Sequence, residues 1–335
     1  MIEKKEKKMK RVRIGLLIGL LLFSLTACNG AEGTDSSEQV KNALMIVGNK
    51  SVSYEEAFAY IYMLKQQYEA SMGENIWDFE MGDGVTFEEY AKENIVNELT
   101  QLKMISQEGE KLGIVLEEDE IQEAKNMATE FMATVSKKDR ETYSLTEELM
   151  ASIYEDHILA EKVYEVTTNE INTNISDDEA KQMTVQYLVV MTNGVDKNGN
   201  KVEMTKEEKK QAKKKAKSLY KEAKSLQKNR FYEFANTNSD AKEVEVTFGK
   251  KNMPEDFGEI AMGLKTGKMS ELVEGEKGYY IIYCVSDYDE DATLARKEEI
   301  ISKRQDKLFR KKYTEWSQGY KLIISTALWD EIGFK

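Results

Sequence analysis

Residues 248–285 read FGKKNMPEDFGEIAMGLKTGKMSELVEGEKGYYIIYCV. The end of this stretch, Tyr279–Val285, is apolar at alternate and at intervening positions. A strand of that kind has to be covered on both faces, so it predicts a central strand of a sheet. Just upstream, Glu243–Phe248 alternates charged and apolar residues, the pattern of a half-exposed strand. Between the two strands, Met253 and Phe257 stand about one helical turn apart, which sets both side chains on one face of a short helix.

Working outward, Val185–Met191 is a third β-prone run, and Asn193-Gly194 and Asn198-Gly199 mark turns after it. A helix from 205 to about 228 carries Ala212, Ala216, Leu219, Ala223 and Leu226 at spacings of four and three, one apolar stripe. Eleven Lys/Arg lie between Lys206 and Arg230. A solvated face explains them more simply than a lipid or other anionic partner, because the apolar stripe is narrow and alanine-rich.

The rest is helical in pattern. Ser53-x-x-Glu56, Thr86-x-x-Glu89, Ser144-x-x-Glu147, Ser176-x-x-Glu179 and Thr205-x-x-Glu208 all fit the capping box, in which hydroxyl and carboxylate satisfy orphan amides reciprocally. Helices are predicted over roughly 54–71, 87–112, 117–135 and 145–171, with Gly113 as a C-terminal stop. The helical pattern returns from about Thr293 to Tyr320, followed by Leu322-Ile323-Ile324 as a short strand and by Trp329–Phe334. On the returning helix Ile300, Ile301, Leu308 and Trp316 need an apolar partner. The expected fold class is α+β. A discontinuous, mainly helical domain, 42–175 with 288–335, would carry an inserted α/β module, 176–287, with a small antiparallel sheet flanked by helices.

The N-terminus reads as a leader. Residues 1–13 hold seven Lys/Arg, and Ile14–Ala27 is an apolar run of 14 residues, too short to span a bilayer. The run ends Leu25-Thr26-Ala27-Cys28, which resembles a bacterial lipobox. That resemblance implies cleavage of 1–27, lipidation of Cys28 and a membrane anchor on the extracytoplasmic face. Met9-Lys10-Arg11-Val12-Arg13 offers a second complete start. A polar segment, 28–41, then reads as a flexible tether.

Composition excludes several classes. The chain has 335 residues and a formal charge of −13, which is the wrong sign for a nucleic-acid partner. One histidine and two cysteines leave no material for a zinc cluster or a disulfide framework, so no metal and no cofactor are expected. The one histidine, His157, sits mid-helix without a pocket signal and reads as a surface or packing residue. Met72, Trp77, Phe79 and Met81 cluster in a glycine-containing segment, suited either to promiscuous client binding or to a local hydrophobic plug.

The 248–285 stretch resembles the second half of a parvulin-type (PpiC-type) peptidyl-prolyl isomerase domain. The carrying residues, in order, are Phe248-Gly249, Met253, Phe257, Leu264-Lys265-Thr266-Gly267-Lys268-Met269-Ser270 and Gly278-Tyr279-Tyr280-Ile281-Ile282. Val185–Val190 resembles the family's first strand, and Phe231-x-x-Phe234-Ala235 with Ser239-Asp240 resembles two further elements. The flanks, Val47–Val52 before a capped helix and Lys111–Val115 before an acidic helix start, resemble the chaperone region of PrsA/SurA-type foldases. The resemblance implies a peptidyl-prolyl isomerase domain on a chaperone whose partners are unfolded secreted proteins.

It also identifies departures. The two histidine positions of the family hold Tyr187 and Tyr280, and an Asp or Cys position holds Ala241. Prolyl isomerisation opposes an amide-resonance barrier of roughly 18–20 kcal/mol and breaks no bond. By the resemblance, Phe248, Met253 and Phe257 would form the apolar pocket for proline, and Tyr187 and Tyr280 the catalytic polar pair. Core packing and a polar role fit the two tyrosines equally well. The expectation is a foldase whose isomerase is weak or absent. A fully active isomerase, a solute-binding lipoprotein and a structural lipoprotein stand as alternatives.

Overall fold

Helix starts organise most of the chain, and the structure, a computed structural model, describes residues 43–195, 201–227, 230–250 and 252–334. The leader 1–27, the Cys28 lipidation site and the tether 28–41 lie outside the described residues. In chain order the elements begin with β1 (Met45–Val47), β2 (Lys50–Val52), α1 (Tyr54–Met72), a 3-10 turn (Glu74–Asp78), β3 (Glu80–Gly82) and β4 (Val85–Thr86). Then come α2 (Phe87–Lys111), α3 (Glu118–Thr134), α4 (Lys137–Thr142) and α5 (Glu147–Thr168). The middle of the chain holds α6 (Asp177–Ala180), β5 (Gln182–Met191), β6 (Asn193–Val195), β7 (Lys201–Glu203), α7 (Lys206–Ser225) and α8 (Phe231–Asn238). It continues with β8 (Glu245–Gly249), α9 (Glu255–Met262), β9 (Val273–Gly275) and β10 (Gly278–Ser286). Last are α10 (Glu290–Ser317), β11 (Leu322–Ile324) and α11 (Thr326–Asp330). Long helices with small antiparallel sheets make this an α+β chain.

Of the five capping boxes read from the sequence, Thr86/Glu89 and Thr205/Glu208 form with both reciprocal bonds. Ser53 caps α1 with its hydroxyl alone, and Ser176 precedes α6 without a side-chain bond. Ser144 is not a cap. It adopts a left-handed φ of 52°, and α5 starts two residues later on Thr146, whose hydroxyl accepts from Leu149 N–H at 3.1 Å. The buried Leu145 explains the shift, since it has to turn inward before the helix can begin. A box absent from the sequence reading, Glu117 with Glu120, starts α3.

The chain divides into two compact units. One gathers the described residues up to Glu170 and from Lys307 onward, and the other is Ile171–Asp306. In the first unit, β11 pairs antiparallel with β1 (Met45 opposite Ile324), and β1 pairs with β2. The β1–β2 turn uses Gly48 at φ 59°, where a Cβ would lie 2.6 Å from Gln107 Oε1. The close approach is used: Gln107 Nε2 donates to the Val47 carbonyl at 2.9 Å, and Asn49 N–H donates to Gln107 Oε1 at 3.1 Å. The core is built from α1, α2, α3 and α5 around Tyr60, Ile61, Ile95, Leu99, Leu102 and Ile105. From α10 the buried residues are Phe309 and Tyr313, with Trp316 edge-on to Phe309 at 5.8 Å. Leu308, expected inward, is only half-buried; the neighbouring Phe309 and Tyr313, one turn apart, take the inward face.

In the second unit a four-stranded antiparallel sheet has the order β8-β5-β10-β9. β10 is therefore central, as its two apolar faces require. Gly278 opens it at φ 150°, where a Cβ would lie 2.1 Å from the Val190 carbonyl oxygen. One face, with Leu188, Val190, Tyr279 and Ile281, packs on the alanine stripe of α7 and on Phe231 and Phe234 of α8. The other face, with Val185, Val189, Tyr280 and Ile282, packs on Phe257 and Ala261 of α9 and on Phe248 of β8.

Candidate functional site

β5 and β10 run antiparallel with Ile282 opposite Tyr187 and Tyr280 opposite Val189. Paired residues share a face, so Tyr187 and Tyr280 are diagonal neighbours on the α9 side of the sheet. Phe257 reaches up from α9 between them. Its ring meets Tyr187 edge-on at 5.4 Å and Tyr280 edge-on at 5.5 Å. Phe248 of β8 lies 6.0 Å from Phe257 at 52°. Half-buried Met253 and Ala241 pack at the margin of the same cluster. The five residues expected at the site, Tyr187, Phe248, Met253, Phe257 and Tyr280, therefore meet in one cluster.

Neither phenol hydroxyl has a hydrogen-bond partner among the described residues. Burial raises the pKa of both tyrosines, with Glu243 adding to the effect at Tyr187 and Asp256, Tyr187 and Glu276 at Tyr280. Both therefore stay protonated at neutral pH and present O–H groups able to donate. Ala241, at the margin of the cluster, brings no side-chain donor or acceptor.

Asp256 holds the site together, and the sequence reading missed it. Its Oδ1 accepts from Phe257 N–H at 2.9 Å and its Oδ2 from Glu276 N–H at 2.7 Å, which ties α9 to the β9–β10 turn. Gly275 makes room for this tie: a Cβ there would lie 2.3 Å from Asp256 Oδ2 and 3.0 Å from Tyr280 Cε2. An Asp in the first turn of a helix is too common a signal to have marked it. Ser239-Asp240 finishes the free edge of β5 beyond β8. Ser239 Oγ accepts from Val189 N–H at 3.1 Å, Asp240 Oδ2 accepts from Met191 N–H at 2.9 Å, and Asp240 N–H donates to the Val189 carbonyl at 2.9 Å.

The Met/aromatic segment of the first unit divides in two. Trp77 is buried and stacks on Phe334 at 4.1 Å, with its indole N–H donating to Glu69 Oε1 at 2.6 Å. It is a plug. Met72, Phe79 and Met81 are 60%, 60% and 50% exposed and form an apolar patch at the surface. His157 is a packing residue: its Nε2 lies 2.9 Å from the Tyr60 hydroxyl and 3.8 Å from Glu98 Oε1. No group of three or more His, Cys, Asp or Glu among the described residues is arranged to hold a metal ion.

Two stretches of the chain match known family models. A family model described as the PPIC-type PPIASE domain matches residues 195–286, and one described as a SurA-like N-terminal domain matches 2–146. The chain is thus related to the PrsA/SurA-type foldases. Phe248, Met253, Phe257 and Tyr280 lie inside the PpiC-type match, and Tyr187 lies just before it. The chain is 24% identical to the foldase protein PrsA of Clostridium botulinum (strain 657 / Type Ba4), covering 94% of this chain and 97% of the relative. It is likewise 24% identical to the foldase protein PrsA of Caldanaerobacter subterraneus subsp. tengcongensis, covering 93% and 96%. Among solved structures, the peptidylprolyl isomerase PrsA of Bacillus cereus matches at 17% identity and a TM-score of 0.34, covering 73% of this chain and 91% of that one. The relationship rests on the two domain matches, not on this superposition.

Proposed function

We propose that this PrsA/SurA-type relative is an extracytoplasmic foldase, anchored to the membrane by lipid on Cys28, that assists the folding of secreted proteins. In this reading 1–27 is the leader, 28–41 the tether, 42–175 with 288–335 the chaperone domain, and 176–287 the parvulin-like domain. The partners are unfolded or partly folded secreted polypeptides. The chaperone domain meets them through the exposed Met72, Phe79 and Met81. The parvulin-like domain takes proline against Phe248, Met253 and Phe257.

One observation supports the catalytic half of the reading: Phe248, Met253 and Phe257 cluster with two phenols that have no hydrogen-bond partner among the described residues and with Ala241. Apolar contacts hold proline in either isomer, and equal binding of ground and transition states does not accelerate the step. Where donors are positioned for a transition state, each is worth about 2.7–4 kcal/mol. The domain is then a proline-binding groove with weak isomerase activity or none. The second reading, an active isomerase, is favoured by the two free hydroxyls on adjoining strands, with Tyr187 and Tyr280 as its catalytic pair. A proline-limited refolding assay run beside an aggregation-suppression assay decides between them. Suppression of aggregation without acceleration of refolding fits the first reading, and acceleration at the level of an efficient parvulin overturns it. Cys28→Ala tests the anchor, which fails if labelled palmitate still enters the chain at the unaltered level.

A further inference from the structure

Helix α7 carries its lysines in two distinct states. Lys209, Lys213, Lys215 and Lys224 are paired, with Glu203 at 3.1 Å, Glu274 at 3.1 Å, Asp240 at 3.0 Å and Glu271 at 3.5 Å. Lys206, Lys210, Lys214, Lys217 and Lys221 are exposed and have no ion-pair partner among the described residues. These five recur at spacings of four, four, three and four. At about 100° per residue they fall within an arc of about 80° that runs along about 22 Å of helix and holds no acidic residue. The buried stripe of Ala212, Ala216, Leu219 and Ala223 lies about 150° away around the helix axis.

The opposition of these two stripes fixes what the lysines face. The alanine stripe packs on the Leu188, Val190 and Ile281 face of the sheet, and the candidate site lies on the opposite face. The lysine arc therefore points away from the proline groove. It is a straight row of like charges on a chain whose formal charge is −13, and holding such a row together unpaired disfavours the helix by self-repulsion. The apolar face of α7 is already buried, so this helix does not insert into lipid as an amphipathic helix does; contact would be by charge at a surface.

We propose that the outer face of α7, through Lys206, Lys210, Lys214, Lys217 and Lys221, rests on an anionic bilayer surface. The choice of a bilayer rests on the lipid anchor of the proposed function, which holds the chain beside one. Docked in this way, the parvulin-like domain turns its groove away from the lipid, open to an arriving polypeptide. Each lysine that reaches the surface contributes about fivefold in affinity, and the attraction falls off within a Debye length, so added salt releases it.

The test uses the mature chain, residues 28–335, made without its leader so that Cys28 carries no lipid. Flotation is measured with vesicles of phosphatidylglycerol and phosphatidylcholine and with phosphatidylcholine alone. The expected result is binding to the anionic vesicles only, lost at least twentyfold in Lys210→Gln/Lys214→Gln/Lys217→Gln. The matched control, Lys209→Gln/Lys213→Gln/Lys215→Gln, removes the same charge from paired positions and should lose less than about threefold. Cooperative circular-dichroism melting shows that both variants fold, with the Lys210→Gln/Lys214→Gln/Lys217→Gln variant melting no lower than the unaltered chain because repulsion along the row is relieved. Equal losses in the two variants, or no binding of the unaltered chain to anionic vesicles, overturns the proposal. So does inorganic polyphosphate binding more tightly than the vesicles with the same lysine dependence, which would make the occupant a soluble polyanion. Palmitate labelling of Cys28 is scored separately, so a failed anchor is not mistaken for a failed surface.

Discussion

Trp77 stacks on Phe334 with ring centroids 4.1 Å apart and planes 25° from parallel. The pair joins the segment after α1 to the last residues described. Phe87 and Tyr68 close the cluster, with Tyr68 edge-on to Phe87 at 5.0 Å, and Lys65 Nζ donates to the Phe334 carbonyl. Phe334→Ala should cost about 3 kcal/mol, as truncation of a buried aromatic does, and move the Trp77 emission to the red. Chemical denaturation with fluorescence detection checks both. A loss below about 1 kcal/mol would mean that the C-terminal segment is not part of this core.

A buried polar network in the first unit gives stability a defined pH dependence. Lys103 bridges Glu56 and Asp156, each at 2.7 Å, while His157 lies between Tyr60 and Glu98. Burial pushes Glu98 up to about 8 and His157 down to about 4. For Glu98, the folded state holds more protons than the unfolded one between its ordinary value and about 8, so stability falls as pH rises through that window. For His157 the folded state holds fewer protons between about 4 and its ordinary value, so stability rises with pH there. The two slopes oppose each other in mildly acidic solution, and above the ordinary histidine range Glu98 acts alone. Glu98→Gln should flatten the decline up to pH 8 and be the more stable form at pH 8. Melting curves of both proteins from pH 6 to 8 test this; parallel curves would show that Glu98 is ionised in the folded state.

The long elements were legible because capping residues and apolar spacing act locally. The ends of α1, α2 and α3 fall within a residue or two of the positions read from the sequence. The doubly apolar Tyr279–Val285 run announced a central strand, and β10 is one. The candidate site was legible as an ordered set of residue types, and Phe257 does lie between Tyr187 and Tyr280. What stayed hidden depends on partners remote in sequence. Ser144 looked like a cap until the burial of Leu145 intervened. Trp77 could not be told from Phe79 without Phe334, more than 250 residues away. Asp256 became visible only when the β9–β10 turn brought Glu276 N–H to it.

Phe79 and Met81 bracket the sharpest test of the chaperone reading. Phe79, just before β3, and Met81, within it, are 60% and 50% exposed, while the buried Trp77 anchors the segment. No Lys or Arg occurs between Lys65 and Lys92, whereas Glu69, Glu74, Asp78, Glu80, Asp83, Glu88 and Glu89 do. Phe79→Ser/Met81→Ser should leave stability within about 0.5 kcal/mol, as exposed substitutions do. It should also remove most of the suppression of aggregation of an unfolded client, read by light scattering. Full suppression by the double variant would locate client binding elsewhere.

The proposed proline site yields the last prediction. Phe257 is 2% exposed and is the hub of the cluster on the α9 side of the sheet, so its truncation to alanine would unsettle the domain by about 3–5 kcal/mol. Met253 is half-buried at the margin, so Met253→Ala separates binding from folding. It should weaken a proline-containing peptide several-fold in a fluorescence-anisotropy titration and leave the melting temperature within a few degrees. Tyr187→Phe/Tyr280→Phe keeps both rings against Phe257 and removes only the hydroxyls. If the groove binds proline without steering the amide, this double variant should bind the peptide as before and change the rate of a proline-limited refolding step less than threefold. If the phenols instead donate to the twisting amide, the rate enhancement should collapse while peptide affinity stays, because such donors act on the transition state alone. That split would make Tyr187 and Tyr280 the catalytic pair and replace the weak-isomerase reading with the active one.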